Sequence, residues 1–163
     1  MKSNQGLIFS VEKANRKIHV EKEFAAPLEK VWDAFAKEDQ ISQWFAPKPW
    51  KVESKDFNFA EGGRWLFAMV GPEGEKHWSV SKFISIDPLK GYVASDAFSD
   101  DQGNINEQFP QSTWHADFVD KGDSTLYRVD LVFDSEDDLN ANLEMGFQEG
   151  FTVCLNQLEE QLA

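Results

Sequence analysis

Three histidines, one cysteine and several acidic clusters are the residues with catalytic or metal-binding potential, and their spacing limits what they can do. His19, His77 and His115 lie far apart, and none belongs to an HxxxH or HExxH pattern that would set two side chains on one helix face. His115 and Asp117 are two apart on a strand-like run, so they share a face opposite Trp114 and Phe118. Such a pair suits a proton relay or two metal ligands, but parity turns it toward solvent. His77, beside Trp78, is placed to line the mouth of a pocket. Asp100-Asp101-Gln102-Gly103-Asn104 has the composition of a calcium loop without its ligand spacing or closing Glu, and reads as an acidic turn. Glu61-Gly62-Gly63 lacks the Lys and following helix of a phosphate loop. No GxSxG elbow or Ser-His-Asp order occurs. Cys154 falls on an apolar helical stripe with no neighbouring base to lower its pKa, as suits a small buried hydrophobe. No catalytic residue, metal or cofactor is assigned.

The aromatic residues say more. The chain has 14 Phe and 6 Trp within a 41% hydrophobic composition, too much apolar surface to remain solvated in a disordered chain. Trp65, Phe67, Met69, Trp78, Trp114, Phe118, Phe147 and Phe151 are expected to point between a sheet and a C-terminal helix, as core or as the lining of a cavity. Arg64 and Arg128 are the candidates for orienting a ligand carboxylate there, with surface pairing to nearby acids as the alternative. Trp44, Phe45 and Trp50, around Pro47 and Pro49, are expected to be exposed anchors if the chain instead docks a protein.

The elements that must position these residues follow from periodicity. Ile18, Val20 and Phe24 alternate along a strand over residues 17–24, with a further strand over 7–13 across an Ala14-Asn15-Arg16 turn. Pro27 stands at a first helical position, and Leu28, Val31, Trp32 and Phe35 give a short amphipathic helix. A second helical turn from about Asp39 carries Ile41, Trp44 and Phe45. Runs at 50–59, 64–70, 76–86, 91–98, 111–120 and 125–133, cut by short turns, predict an antiparallel meander. Trp78, Val80, Ile84 and Ile86 are expected on one face. Residues 65–70 are apolar on both faces, so that strand is expected to be covered on both sides. Ser135 and Asp138 resemble a capping box, with the acids Asp134, Glu136, Asp137 and Asp138 favoured at the helix start. Leu139, Leu143, Phe147, Phe151, Cys154, Leu158 and Leu162 then form an apolar stripe about seven turns long. Gly146 and Gly150 mark either a break near Gly146 or a close approach of helix to sheet. A curved sheet gripping one long helix leaves a gap at one end, where an apolar ligand can sit.

The 163 residues suit one domain spanning 1–163, and the formal net charge of -13 disfavours nucleic acid and anionic membrane surfaces as partners. Residues 1–10 lack a secretory apolar region, no run reaches membrane-spanning length, and the lone cysteine excludes an internal disulfide, which suits a cytoplasmic protein.

Phe24-Ala-Ala-Pro27-Leu-Glu-Lys-Val31-Trp32-Asp-Ala-Phe35, with Gln43-Trp44-Phe45-Ala-Pro47, resembles the opening of the activator of Hsp90 ATPase homologue 1-like family of the SRPBCC (START/Bet v 1-like) superfamily. Glu61-Gly62-Gly63-Arg64-Trp65, Ser85-Ile86-Asp87-Pro88 and Gly146-Phe147-Gln-Glu-Gly150-Phe151 extend the resemblance from about residue 10 to the end. It implies an α+β helix-grip fold: a curved antiparallel sheet around a long C-terminal helix, with two short helices after the first strand. It also implies a cavity that in many relatives takes a hydrophobic small molecule. The fold hosts carriers, cyclases and chaperone cofactors alike, so it does not select a reaction. The expectation is a small-molecule binding protein, monomer or homodimer, with a chaperone or other protein partner as one alternative. A cyclase-like enzyme using His115 and Asp117, or His77, is the other.

Overall fold

A computed structural model describes residues 6–163. The N-terminal reading above falls partly on residues 1–5, which lie outside the described residues. Among the described residues, eight antiparallel strands form one sheet in the order β1-β2-β8-β7-β6-β5-β4-β3. The strands are β1 (Leu7–Glu12), β2 (Lys17–Phe24), β3 (Lys51–Phe57), β4 (Arg64–Val70), β5 (Lys76–Asp87), β6 (Gly91–Phe98), β7 (Ser112–Asp120) and β8 (Thr125–Phe133). Between β2 and β3 lie α1 (Leu28–Ala36) and α2 (Glu38–Ile41); α3 (Glu136–Glu144) and α4 (Phe147–Leu162) end the chain. Among the described residues, no helix is long and apolar enough to cross a membrane.

The alternation of each strand sends one set of side chains to the helices. Ile18, Val20 and Phe24 of β2, Trp65 and Phe67 of β4, Trp114 and Phe118 of β7, and Tyr127, Val129 and Leu131 of β8 join Val31, Trp32 and Phe35 of α1 in one core. Apolar area removed from water at this density is the main term holding sheet to helices. Leu66 and Ala68 of β4 are buried on the other face, where Leu66 packs with Val80, Ala97, Trp78 and Ile105 in a smaller cluster. The strand is thus covered on both sides, as its composition predicts.

Three expectations require correction. Pro27 is the extended residue just before α1, with ψ of 157°, so the helix starts at Leu28. The face assigned to Trp78, Val80, Ile84 and Ile86 does not persist along β5. A bulge between Phe83 and Ser85 shifts the parity, so Phe83 and Ile86 join the main core while Trp78 and Val80 face outward. An extra residue on one strand has this effect because side-chain direction repeats every two residues.

The third correction concerns the C-terminal stripe, which is two helices. Ser135 caps α3 by accepting a hydrogen bond from the Asp138 N–H at 3.1 Å, and the acids of the first turn face the positive helix end. Gly146 adopts φ 87°, a left-handed conformation open to glycine but strained for other residues, and the chain restarts as α4. Of the two alternatives for the glycines, the break is the one realised: a Cβ placed on Gly150 meets nothing within 4 Å.

Candidate functional site

Residues of the α3–α4 break border a cavity of about 460 Å³ between sheet and helices. Its walls come from separate elements. The segment after α2 gives Phe45, Pro47 and Trp50; the sheet gives Phe67, Met69, His77, Ser79, Asp96, Phe98, Ser112 and Trp114; the α3–α4 turn gives Met145, and α4 gives Phe147, Gly150, Phe151 and Cys154. Gln157 of α4 fixes the first of these walls. Its amide donates to the carbonyls of Trp44 and Ala46 at 3.0 and 2.9 Å and accepts from the Lys48 N–H at 2.9 Å. The walls are mostly aromatic: Phe147 and Phe151 stack at 5.2 Å, and Trp114 stands edge-on to both.

Of the residues expected at a cavity, Phe67, Met69, Trp114, Phe147 and Phe151 line it. Trp65 is buried behind the wall, stacked on Phe67 at 3.9 Å with its indole N–H donating to the Ser54 hydroxyl at 2.9 Å. Phe118 lies beneath α1, edge-on to Trp32 and Phe35 at 5.1 and 5.0 Å. Trp78 is on the outer face with the Lys55 ammonium 5.7 Å from its ring. Register explains this. Met69 pairs with His77 and Phe67 with Ser79, so inward parity on β5 runs through His77 and Ser79 and excludes Trp78.

The charged candidates lie elsewhere. Arg64 donates to Asp56 at 2.8 Å, and Arg128 pairs with Asp117 at 3.5 Å, both at the surface. His115 and Asp117 are exposed on the outer face, as parity predicts. His77 does reach the cavity, 5.5 Å from the Trp50 ring. Trp44 is fully buried, with its indole N–H on the Ala34 carbonyl at 3.0 Å, which removes it as an exposed anchor. Asp100 folds its own loop by accepting from the backbone N–H groups of Gln102 and Asn104 and from the Asn104 amide, and these bonds hold its carboxyl below the usual range. Cys154 borders the cavity as a neutral thiol, pushed up to about 12 by burial. Among the described residues, no three His, Cys, Asp or Glu side chains gather closely enough to hold a metal ion.

Two polar features escaped the reading of the sequence. On the outer face, His19 lies between Asp130 at Nδ1 and Glu21 at Nε2. Burial lowers its pKa, but the hydrogen bonds and charges of the two carboxylates outweigh this and leave it raised. The second feature is Asp96, inside the cavity. It follows Tyr92 and Ala94 on the inner face of β6, and its Oδ1 accepts from the Ser81 hydroxyl at 2.5 Å. Across the strand pair lies Ser112, whose hydroxyl accepts from the Trp114 indole at 3.0 Å. Burial pushes the Asp96 carboxyl up to about 7, against the opposing Ser81 hydrogen bond. The one signal available beforehand was a lone acid at an inward position of an otherwise uncharged alternation.

The family model for the activator of Hsp90 ATPase homolog 1-like protein matches residues 25–163. A search of curated proteins found no significant match. Among solved structures, protein Ms6760 from Mycobacterium smegmatis is 25% identical with a TM-score of 0.89, over 96% of this chain and 97% of that one. A Staphylococcus epidermidis protein is 27% identical with a TM-score of 0.82, over 94% and 93% of the two chains. An Arthrobacter aurescens protein shares the fold at 21% identity and a TM-score of 0.90, over 95% and 90%.

Proposed function

The chain belongs to the family of activator of Hsp90 ATPase homolog 1-like proteins, and from that premise we propose that it is a cytoplasmic binding protein for a hydrophobic or aromatic small molecule. The observation that carries this reading is the aromatic-walled cavity of about 460 Å³, bordered by the α3–α4 break, a size typical of small-molecule pockets. A protein that needed only a core would gain stability by filling that space.

A neutral apolar probe, phenylnaphthylamine, tests the reading. Its fluorescence is expected to rise on entering the cavity of the wild-type chain, and a saturating dose should raise the Tm by mass action, with about 2.7 kcal/mol of stabilisation at a hundredfold excess over Kd. Gly150→Leu projects a side chain into the cavity from a position where a Cβ meets no atom within 4 Å, so it should abolish the signal while the variant stays folded. Undiminished probe binding in that variant would place the site elsewhere, and no binding to the wild type would end the proposal.

A further inference from the structure

We infer that the cavity is built for an apolar ligand carrying a protonated amine, with the Asp96 carboxylate and its aromatic surround as the ammonium subsite. The inference rests on the cavity being a ligand site and adds the chemistry of the ligand's polar group. Asp96 spends one oxygen on Ser81, and among the described residues no donor reaches the other. Phe67, Phe98, Trp114 and Phe151 border the same cavity, and neither Lys nor Arg is among its lining residues.

Three kinds of polar group fare differently in that setting. A ligand carboxylate meets Asp96 without a cation to neutralise it, at a cost that grows as water is excluded. A hydroxyl gains a single hydrogen bond. An ammonium gains a charge-assisted hydrogen bond to the free oxygen and the attraction of ring faces, whose quadrupoles favour cations. The amine is therefore the group for which wall and acid act together.

Proton balance gives a second handle. With its carboxyl near 7, Asp96 is partly protonated at neutral pH; when an ammonium arrives, the carboxyl proton leaves to buffer and the amine keeps its own. The other titratable groups facing this region are His77 on β5, Tyr92 on β6, Tyr127 on β8 and Cys154 on α4. Burial pushes the two tyrosines and the cysteine upward, so they stay protonated near neutral pH. His77, at the Trp50 side of the cavity, is controlled by His77→Gln.

Calorimetric titration at neutral pH with naphthylethylamine, naphthylethanol and naphthylacetate, in two buffers of different ionisation enthalpy, tests the inference. The amine is expected to bind at least about tenfold tighter than the alcohol, the acetate weakest. Amine binding should release protons in wild type and in His77→Gln, and in Asp96→Asn the amine preference should shrink to within roughly threefold while alcohol affinity is kept. Alcohol binding as tight as amine binding, or an amine preference that survives Asp96→Asn, overturns the ammonium subsite and leaves the ligand cavity standing. Failure of all three probes to bind wild type overturns both. Should Asp96→Asn not fold, the wild-type order of the three probes and the proton release decide.

Discussion

Asp96 concentrates the residue-scale physics of this protein, because it sets a carboxyl where apolar walls disfavour its charge. Its ordinary value of 3.8 becomes about 7 in the fold. Between those values the folded chain holds a proton that the unfolded chain has released, so stability falls as pH rises through the interval, and the penalty is complete above it. Each unit corresponds to about 1.4 kcal/mol, and solvent at the open mouth reduces the total. Asp96→Asn removes the charge and keeps an acceptor for Ser81. It is expected to gain roughly 2–3 kcal/mol in urea denaturation at about pH 8 and close to nothing at about pH 4. An equal gain at both values would mean that packing, not charge, is at issue.

The informative element is the C-terminal pair of helices. One continuous helix would lay its whole apolar stripe on the sheet, whereas the left-handed Gly146 redirects the chain, and the residues of that turn, Met145 and Gly146, border the cavity. Two substitutions of the same kind, four residues apart, should therefore act in opposite directions. Gly146→Ala forces a side chain into φ 87° and should cost about 1–2 kcal/mol. Gly150→Ala gains helix propensity at a position where the new methyl meets no atom within 4 Å, and should stabilise α4 by up to about 1 kcal/mol. Thermal denaturation of both reads the difference. Loss of stability in Gly150→Ala would show that α4 depends on that glycine for more than space.

At the scale of the whole molecule, a net charge of -13 surrounds an interior built of aromatic rings. Self-repulsion of this size opposes the compact state and is weakened by salt. Sodium chloride raised from about 0.02 M to about 0.3 M shortens the Debye length severalfold and is expected to raise the Tm by a few degrees in scanning calorimetry. A flat or falling Tm would show that paired charges such as Arg64 with Asp56 and Lys76 with Glu53 outweigh the repulsion.

Local chemistry made much of this legible in the sequence. Period-two runs and turn residues define the strands, the Leu28-Val31-Trp32-Phe35 spacing defines α1, and Ser135 marks the start of α3, because each depends on neighbours within a few residues. Parity alone turned His115 outward and Phe67, Met69 and Trp114 inward. It failed for the β5 face, where an extra residue at the Phe83–Ser85 bulge, invisible to composition, resets the alternation. Trp44, expected at the surface, is buried because its indole finds the Ala34 carbonyl ten residues back. Tertiary structure alone decided where the space falls, since an unfilled volume depends on how α3, α4 and five strands close upon one another. It likewise gave Asp96 its altered acidity, which comes from burial that outweighs the hydrogen bond from Ser81, a strand away, and is no property of the residues adjoining it in the chain.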